Sequence, residues 1–380
     1  MITMRMTRSA LTSIGGLIAL AGCSTILSIE PTQVTSGDGG ANNIVNNGPT
    51  PPFSSDCASA INSIDPNGDE ANAIAADDNG VFWAAPRDAS TSQVFALVGG
   101  VQSTVSRYNP NDSTESEPTV LGLALDSTHL YWASWDTYNG ANGTAHLREW
   151  SRTDGTIVEA DLSAAGTGVS EITIASGNQK LFYANWRTQG QHANLLSIKV
   201  PFTAGQKPFI ESGGEQSPLH FASDSDAVYF DEATDDLENP DELSLASATL
   251  GGANEIEVSA HDIEDLVVGA SSRVYWAQTS DNEIQMHTVD RAAKTETFTT
   301  AIPYPQLLAY DGDHQMLYVI SVSTSNVWSL QRISTTDANP QPVMCVDNLT
   351  DSSALQYWNG HVYFSGVSKS ASGLFDLTIK

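Results

Sequence analysis

The sequence predicts an all-β fold made of seven repeated units, and three observations predict it. An aromatic cassette recurs at intervals of 43 to 51 residues. Its copies are Val81-Phe82-Trp83-Ala84, Leu130-Tyr131-Trp132-Ala133, Leu181-Phe182-Tyr183-Ala184, Val228-Tyr229-Phe230-Asp231, Val274-Tyr275-Trp276-Ala277, Leu317-Tyr318-Val319-Ile320 and Val362-Tyr363-Phe364-Ser365. Each copy sits between a short apolar run and a further extended run, separated by turn residues. Almost no segment carries the period of an amphipathic helix. A repeat in the 40s with several β-segments per unit is the signature of a β-propeller.

The elements follow in order within each unit. The first strand is a short apolar run, often ending in Asp: Ile74-Ala75-Ala76-Asp77, Leu123-Ala124-Leu125-Asp126, Phe221-Ala222-Ser223-Asp224 and Leu308-Ala309-Tyr310-Asp311. A tight turn follows, such as Asp78-Asn79-Gly80, because Asn, Asp and Gly tolerate the positive φ of hairpin turns. The cassette is the second strand. The third strands are Gln93 to Val98, His146 to Ser151, Asn194 to Lys199, Glu242 to Ala248, Glu283 to Val289, Asn326 to Ile333 and Gly373 to Ile379. A fourth is readable in most units, as at Thr156 to Leu162. Residues 54–380 therefore read as a seven-bladed β-propeller of four-stranded antiparallel blades. The seventh unit has only three strands of its own, so Ser54 to Ser63 is expected to supply the fourth as an N-terminal strand closing the last blade. Closure removes open sheet edges. Alternate strand residues face opposite sides of a sheet, so both cassette rings are expected to be buried, each contributing about 2–3 kcal/mol.

Residues 1–22 read as a targeting segment. Arg5 and Arg8 form a basic start, and Ala10 to Ala21 is an apolar run too short to span a bilayer. The run ends in Leu20-Ala21-Gly22-Cys23, which resembles the bacterial lipobox. The resemblance implies cleavage before Cys23 and its acylation, giving a membrane-anchored lipoprotein. Ser24 in place of Asp points to the outer membrane, in a bacterial cell envelope. An ordinary signal peptide followed by an incidental cysteine is the alternative. Residues 23–53 are rich in Ser, Thr, Gly, Asn and Pro and read as a flexible linker, reaching about 30 Å. Cleavage would leave 14 basic against 45 acidic residues, a net charge of −31. Such a strongly acidic surface repels nucleic acid. Cys57 and Cys345 remain, without a CxxC pair, and read as a disulfide in an oxidising compartment. The bond would staple the seam of the ring and stabilise it by about 4–5 kcal/mol in the chain-entropy model. Two free thiols are the alternative.

The cassettes resemble the YWTD-type propeller repeats of LDL-receptor ectodomains and related bacterial lipoprotein propellers. Tyr131-Trp132, Tyr275-Trp276 and Phe82-Trp83 carry the likeness, which covers about 320 residues. The family's Thr-Asp is replaced by pairs such as Ala-Ala, Ala-Ser and Ala-Gln, so its Asp-based bonds between blades do not carry over. The resemblance implies the fold and a precedent for protein binding.

Few residues point to chemistry. No HExxH, G-x-S-x-G or G-x-x-x-x-G-K-[ST] motif is present. His129, His314 and His361 fall in or beside first-to-second-strand turns. His220, His261 and Glu264 fall at the starts of first strands, near the expected channel mouth, and frame an alternative reading as a metal-assisted lyase or hydrolase. A scattered histidine is more often structural. Asp231, Glu232, Asp235 and Asp236 open an acidic loop that suits calcium, a basic partner or plain solvation. No cofactor is predicted beyond that calcium alternative. Trp135 and Trp186 each sit three residues past a cassette's second aromatic, in adjacent units. With Tyr138, Asn185 and Arg187 they would make an amphipathic platform for a protein or glycan ligand, or else cap the core between blades. Binding, catalysis and passive scaffolding thus all remain open from the sequence.

Overall fold

Alternation puts one ring of each cassette on each face of its sheet, and a computed structural model shows where those rings go. It describes residues 52–65, 70–88, 91–105, 119–135, 145–160, 162, 168–175, 179–186, 194–203, 206–207, 209–212, 220–225, 227–233, 243–249, 254–260, 263–279, 284–290, 295–337, 342–368 and 372–380. All of these belong to one folded unit of the chain, Ile44–Lys380. Residues 1–22, expected to be a signal segment, Cys23 and nearly all of the expected linker lie outside the described residues.

The described residues form a β-propeller without an α-helix. Residues 73–104, 119–159, 168–212, 221–260 and 263–301 each make a four-stranded antiparallel sheet, here units one to five. Residues 305–351 supply four more strands, unit six. Residues 355–379 supply three, unit seven, joined by Ala58–Ser63 as a fourth. Units six and seven are continuous in one eight-stranded sheet, because Leu349 and Asp351 pair with Ser368 and Val367. Ala58–Ser63 runs antiparallel to Ser372–Ile379, with Ile61 opposite Leu377 and Ser63 opposite Phe375. The seam strand expected from the sequence is therefore present.

Each cassette occupies the second strand of its unit. In the cassettes that follow, the residue at the second position packs forward and the residue at the third packs back. Tyr131 shares a core with Leu181 and Tyr183 of unit three, while Trp132 packs with Phe82, Ala84 and Val94 of unit one. The same division holds for Tyr229 and Trp276, for Tyr275 and Val319, and for Tyr318 and Phe364. Tyr363 of unit seven shares a core with Trp83 of unit one, so the sequence of contacts returns to its start. First strands touch in the same circular order, with Leu355–Trp358 against Ala73–Asp77 completing it.

The Asp that ends several first strands shapes the turn. Asp126 Oδ1 accepts the N–H groups of Thr128 and His129, both at 2.7 Å, and Asp224 Oδ1 accepts that of Ala227 at 2.8 Å. The other oxygen takes the cassette hydroxyl: Tyr131 donates to Asp126 Oδ2 at 2.7 Å and Tyr229 to Asp224 Oδ2 at 3.1 Å. Phe82 has no hydroxyl. In unit one Arg152 of unit two replaces it, donating to Asp77 at 2.5 and 2.8 Å and lying 4.7 Å over the Phe82 ring. The burial of Asp77 opposes ionisation, but the bonds from Arg152 and Asn79 outweigh it and hold its carboxyl below the usual range. Gly80 closes this turn where a Cβ would lie 2.4 Å from the Leu97 carbonyl oxygen.

Side-chain oxygens also bind neighbouring sheets together. Asp265 Oδ2 accepts the Leu308 N–H at 2.7 Å, between units five and six. Ser365 Oγ accepts the Ala71 N–H at 2.9 Å across the seam between units seven and one. The loss of the Thr-Asp pair that follows the two rings in YWTD-type repeats thus does not abolish Asp-based bonds between sheets. They come from a first-strand position instead.

Candidate functional site

Antiparallel pairing places the start of each first strand beside the end of its second strand: Thr119 faces Trp135, Gly168 faces Trp186 and Pro305 faces Ser321. This end of the sheets carries the connections that follow the cassettes. Among the described residues, Trp135, Asn185, Trp186, His220, Asp231, Glu232 and Glu264 belong to it.

Trp135 and Trp186 differ from expectation in one respect. They were expected to open loops, but each is the last residue of its strand, His129–Trp135 and Lys180–Trp186. The ladder continues through them because Ala145 lies opposite Trp135 and Gly168 opposite Trp186. Both hold the terminal second-strand position in neighbouring units, whose first strands touch. Asn185 is likewise within the strand, opposite Asn194. Tyr138 and Arg187 lie outside the described residues.

The acidic loop starts later than expected. Asp231 and Glu232 belong to the strand Ala227–Ala233, opposite Leu245 and Ser244. Asp231 is 1% exposed and accepts the His220 backbone N–H at 3.0 Å. Asp231 thus belongs to the ladder rather than to a loop, with one carboxylate oxygen on a backbone N–H of its own sheet. Asp235 and Asp236 lie outside the described residues.

Of the alternative catalytic set, His220 immediately precedes Phe221–Ser223 and Glu264 is the second residue of Ile263–Val268. These first strands touch, so the two residues share the mouth end of adjacent units. His261 lies outside the described residues. Among the described residues, no three of His, Cys, Asp and Glu are grouped so as to hold a metal ion. The turn histidines pair with carboxylates: His314 Nδ1 with Asp311 Oδ2 and His361 Nδ1 with Asp376 Oδ1, both at 2.8 Å.

Two features of this end were missed in the sequence. Tyr304, just before the first strand of unit six, is 44% exposed and holds φ at +44°. Its carbonyl accepts the Val322 N–H at 2.9 Å, which helps retain that conformation. No repeated motif marks the position. The other is Glu70, which enters the first strand of unit one. Burial, and then the charge of Asp351 at the end of unit six, push its carboxyl up to about 7. Asp351 is itself raised by burial. The two acids are 281 positions apart in sequence, and only ring closure makes one feel the other.

The sign of this effect is definite. An unfolded glutamate titrates near 4.5, so the folded state holds the Glu70 proton more tightly. Stability is highest below that value and falls as pH rises through the window up to about 7. Glu70→Gln is expected to raise stability near pH 8 by about 2 kcal/mol and to leave it nearly unchanged near pH 4. Urea unfolding at the two pH values checks this. An equal effect at both would contradict it.

No protein-family model and no curated protein matches this chain. Solved structures do. The chain is similar to the WD40 repeats of RRP9, with a TM-score of 0.59 and 10% identity, over 87% of this chain and 100% of that one. Puromycin hydrolase matches with a TM-score of 0.59 and 13% identity, over 82% of this chain but only 52% of its own. Hydrazine synthase of Kuenenia stuttgartiensis matches with a TM-score of 0.56 and 10% identity, over 80% and 94% respectively. Identities this low establish the shared β-propeller fold alone, a fold that carries many unrelated functions.

Proposed function

We propose that the protein is a lipid-anchored propeller of a bacterial cell envelope, binding a protein or glycan through the face that follows its cassettes. In this reading residues 1–22 are removed, Cys23 bears the lipid, residues 23–53 are the linker, and the anchor sits in the outer membrane. The eight-stranded sheet counts as two blades, making seven; the circular order of first-strand contacts supports that count. The cassettes' likeness to YWTD-type repeats supports a binding role by precedent. The charge argues against nucleic acid as the partner.

One observation carries the proposal: Trp135 and Trp186 end equivalent strands in touching units. The exposed Tyr304 belongs to the same end of the ring. Aromatic side chains at strand ends are rigid anchors for sugar rings and for protein hot spots. The test compares the detergent-solubilised full chain with Trp135→Ala/Trp186→Ala, using envelope extracts and a glycan array. The variant is expected to lose at least one partner that the parent retains. Identical recovery and identical array profiles would overturn the proposal.

A further inference from the structure

The chain enters the propeller at the opposite end of the ring, and exposed apolar side chains surround the point of entry. Ser54 donates its N–H to the Cys345 carbonyl at 2.8 Å, and Arg332 donates to the Asp56 carbonyl at 2.7 Å. Lys380 Nζ donates to the Ser55 carbonyl. Its neighbour Ile379 donates to Gly360 at 2.8 Å, which places the entry beside the first turn of unit seven. Trp358 opens that turn, and its Nε1 donates to Asp78 Oδ1 in the matching turn of unit one at 3.2 Å. Gly80, two residues on, lies against Val98. One continuous neighbourhood therefore joins the entry point to both turns.

Apolar groups are exposed throughout it. Phe53 bridges to Val346 beside Met344 in the outer strand of unit six. Trp358 opens the turn of unit seven, while Val98 and Val101 flank the turn between the third and fourth strands of unit one. All five are between 38% and 46% exposed. All five lie at the end of the ring where the chain enters, and that many large apolar side chains left in water at one end call for a use. The linker that reaches this set is the segment expected to end in a lipid, and about 30 Å of reach brings that lipid's bilayer within touching distance. The chain's net charge of −29 disfavours an anionic surface, so apolar insertion is the attraction that remains. Tryptophan suits that interface, with an apolar ring and a polar N–H.

We propose that this turn-bearing end, through Phe53, Val98, Val101, Met344 and Trp358, docks on the bilayer that holds the chain's own anchor. The proposal rests on the lipid-anchor reading above. It directs the strand ends bearing Trp135 and Trp186 away from the membrane, toward a partner. Contact through these side chains is expected to resist high salt, since it is not ionic.

The test uses the full lipidated protein in phosphatidylcholine vesicles, some carrying spin-labelled acyl chains. A fluorophore is attached through Val101→Cys or, at the opposite end, Tyr304→Cys. With Cys23 acylated and Cys57 bonded to Cys345, the introduced thiol is the only free one. The Val101 probe is expected to be quenched several-fold more by the lipid label than the Tyr304 probe, and less by an aqueous quencher. Val98→Asp/Trp358→Asp should abolish that difference while the protein still floats with the vesicles. Equal quenching at both probes, with flotation retained, overturns the docking proposal and leaves the anchor standing. No flotation, together with an unacylated terminus by mass spectrometry, removes both. Protection of the Val101 probe in lipid-free detergent that rises with protein concentration identifies a second copy as the occupant and also overturns it.

Discussion

Replacing both Cys57 and Cys345 by serine is expected to lower the unfolding free energy by about 5–6 kcal/mol in the chain-entropy model. The two residues form a disulfide with Cα atoms 5.2 Å apart and 288 positions between them in sequence. A crosslink over so long a loop removes much of the freedom of the unfolded chain. The bond also joins two elements that matter for closure. Cys345 lies in the outer strand of unit six, and Cys57 immediately precedes the strand that completes unit seven. Without it, Ala58–Ser63 is held by its ladder to Ser372–Ile379 and by the bonds from Ser54, Arg332 and Lys380. Urea unfolding of the double variant should match that of the parent in reductant. In the variant the amides of Ala58–Ser63 should lose hydrogen-exchange protection before the rest. A change under about 1 kcal/mol would mean that the seam is not where this ring is weakest.

Trp132→Ala is the second large effect, with an expected loss of about 3–5 kcal/mol. The ring is 1% exposed and fills the interface between units one and two, against Phe82, Ala84, Val94 and Val120. The space left is bounded by two sheets whose backbones are held by their own ladders, so it collapses poorly and the cavity cost persists. Trp358→Ala is the matched control. It removes the same side chain from an exposed turn and should cost about 1 kcal/mol or less. Unfolding midpoints followed by circular dichroism compare the two. Similar losses would contradict the view that cassette rings are the mortar between sheets.

Much of this fold was legible in the chain because its determinants are local and repeated. Alternation with period two and turn residues at regular spacing placed the third strands within a few residues: Gln93 to Val98 against Thr91–Val98, and Asn194 to Lys199 as found. The weak fourth strands were harder. Thr156 to Leu162 shrinks to Ile157–Glu159, since an outer strand has a partner on one side only and little apolar pattern to define its ends. Asp231 was misplaced in a loop for a related reason. An acid at a strand end reads as solvated unless its bond to the His220 N–H is known. Trp135 and Trp186 were found, but their membership of the ladder depends on partners in other strands.

Local alternation, turn chemistry and the spacing of paired rings are written along the chain, so the sequence by itself determined the repeating unit, its strands and the strand that closes the seam. Only the tertiary structure decided which groups meet across sheets. Arg152 on Asp77, Asp265 on Leu308, Glu70 beside Asp351, and Trp358 on Asp78 next to the chain's entry are all such pairs. Their members belong to different units, or to opposite ends of the chain. What joins them is radial packing, and through-space proximity of that kind leaves no period in a sequence to read.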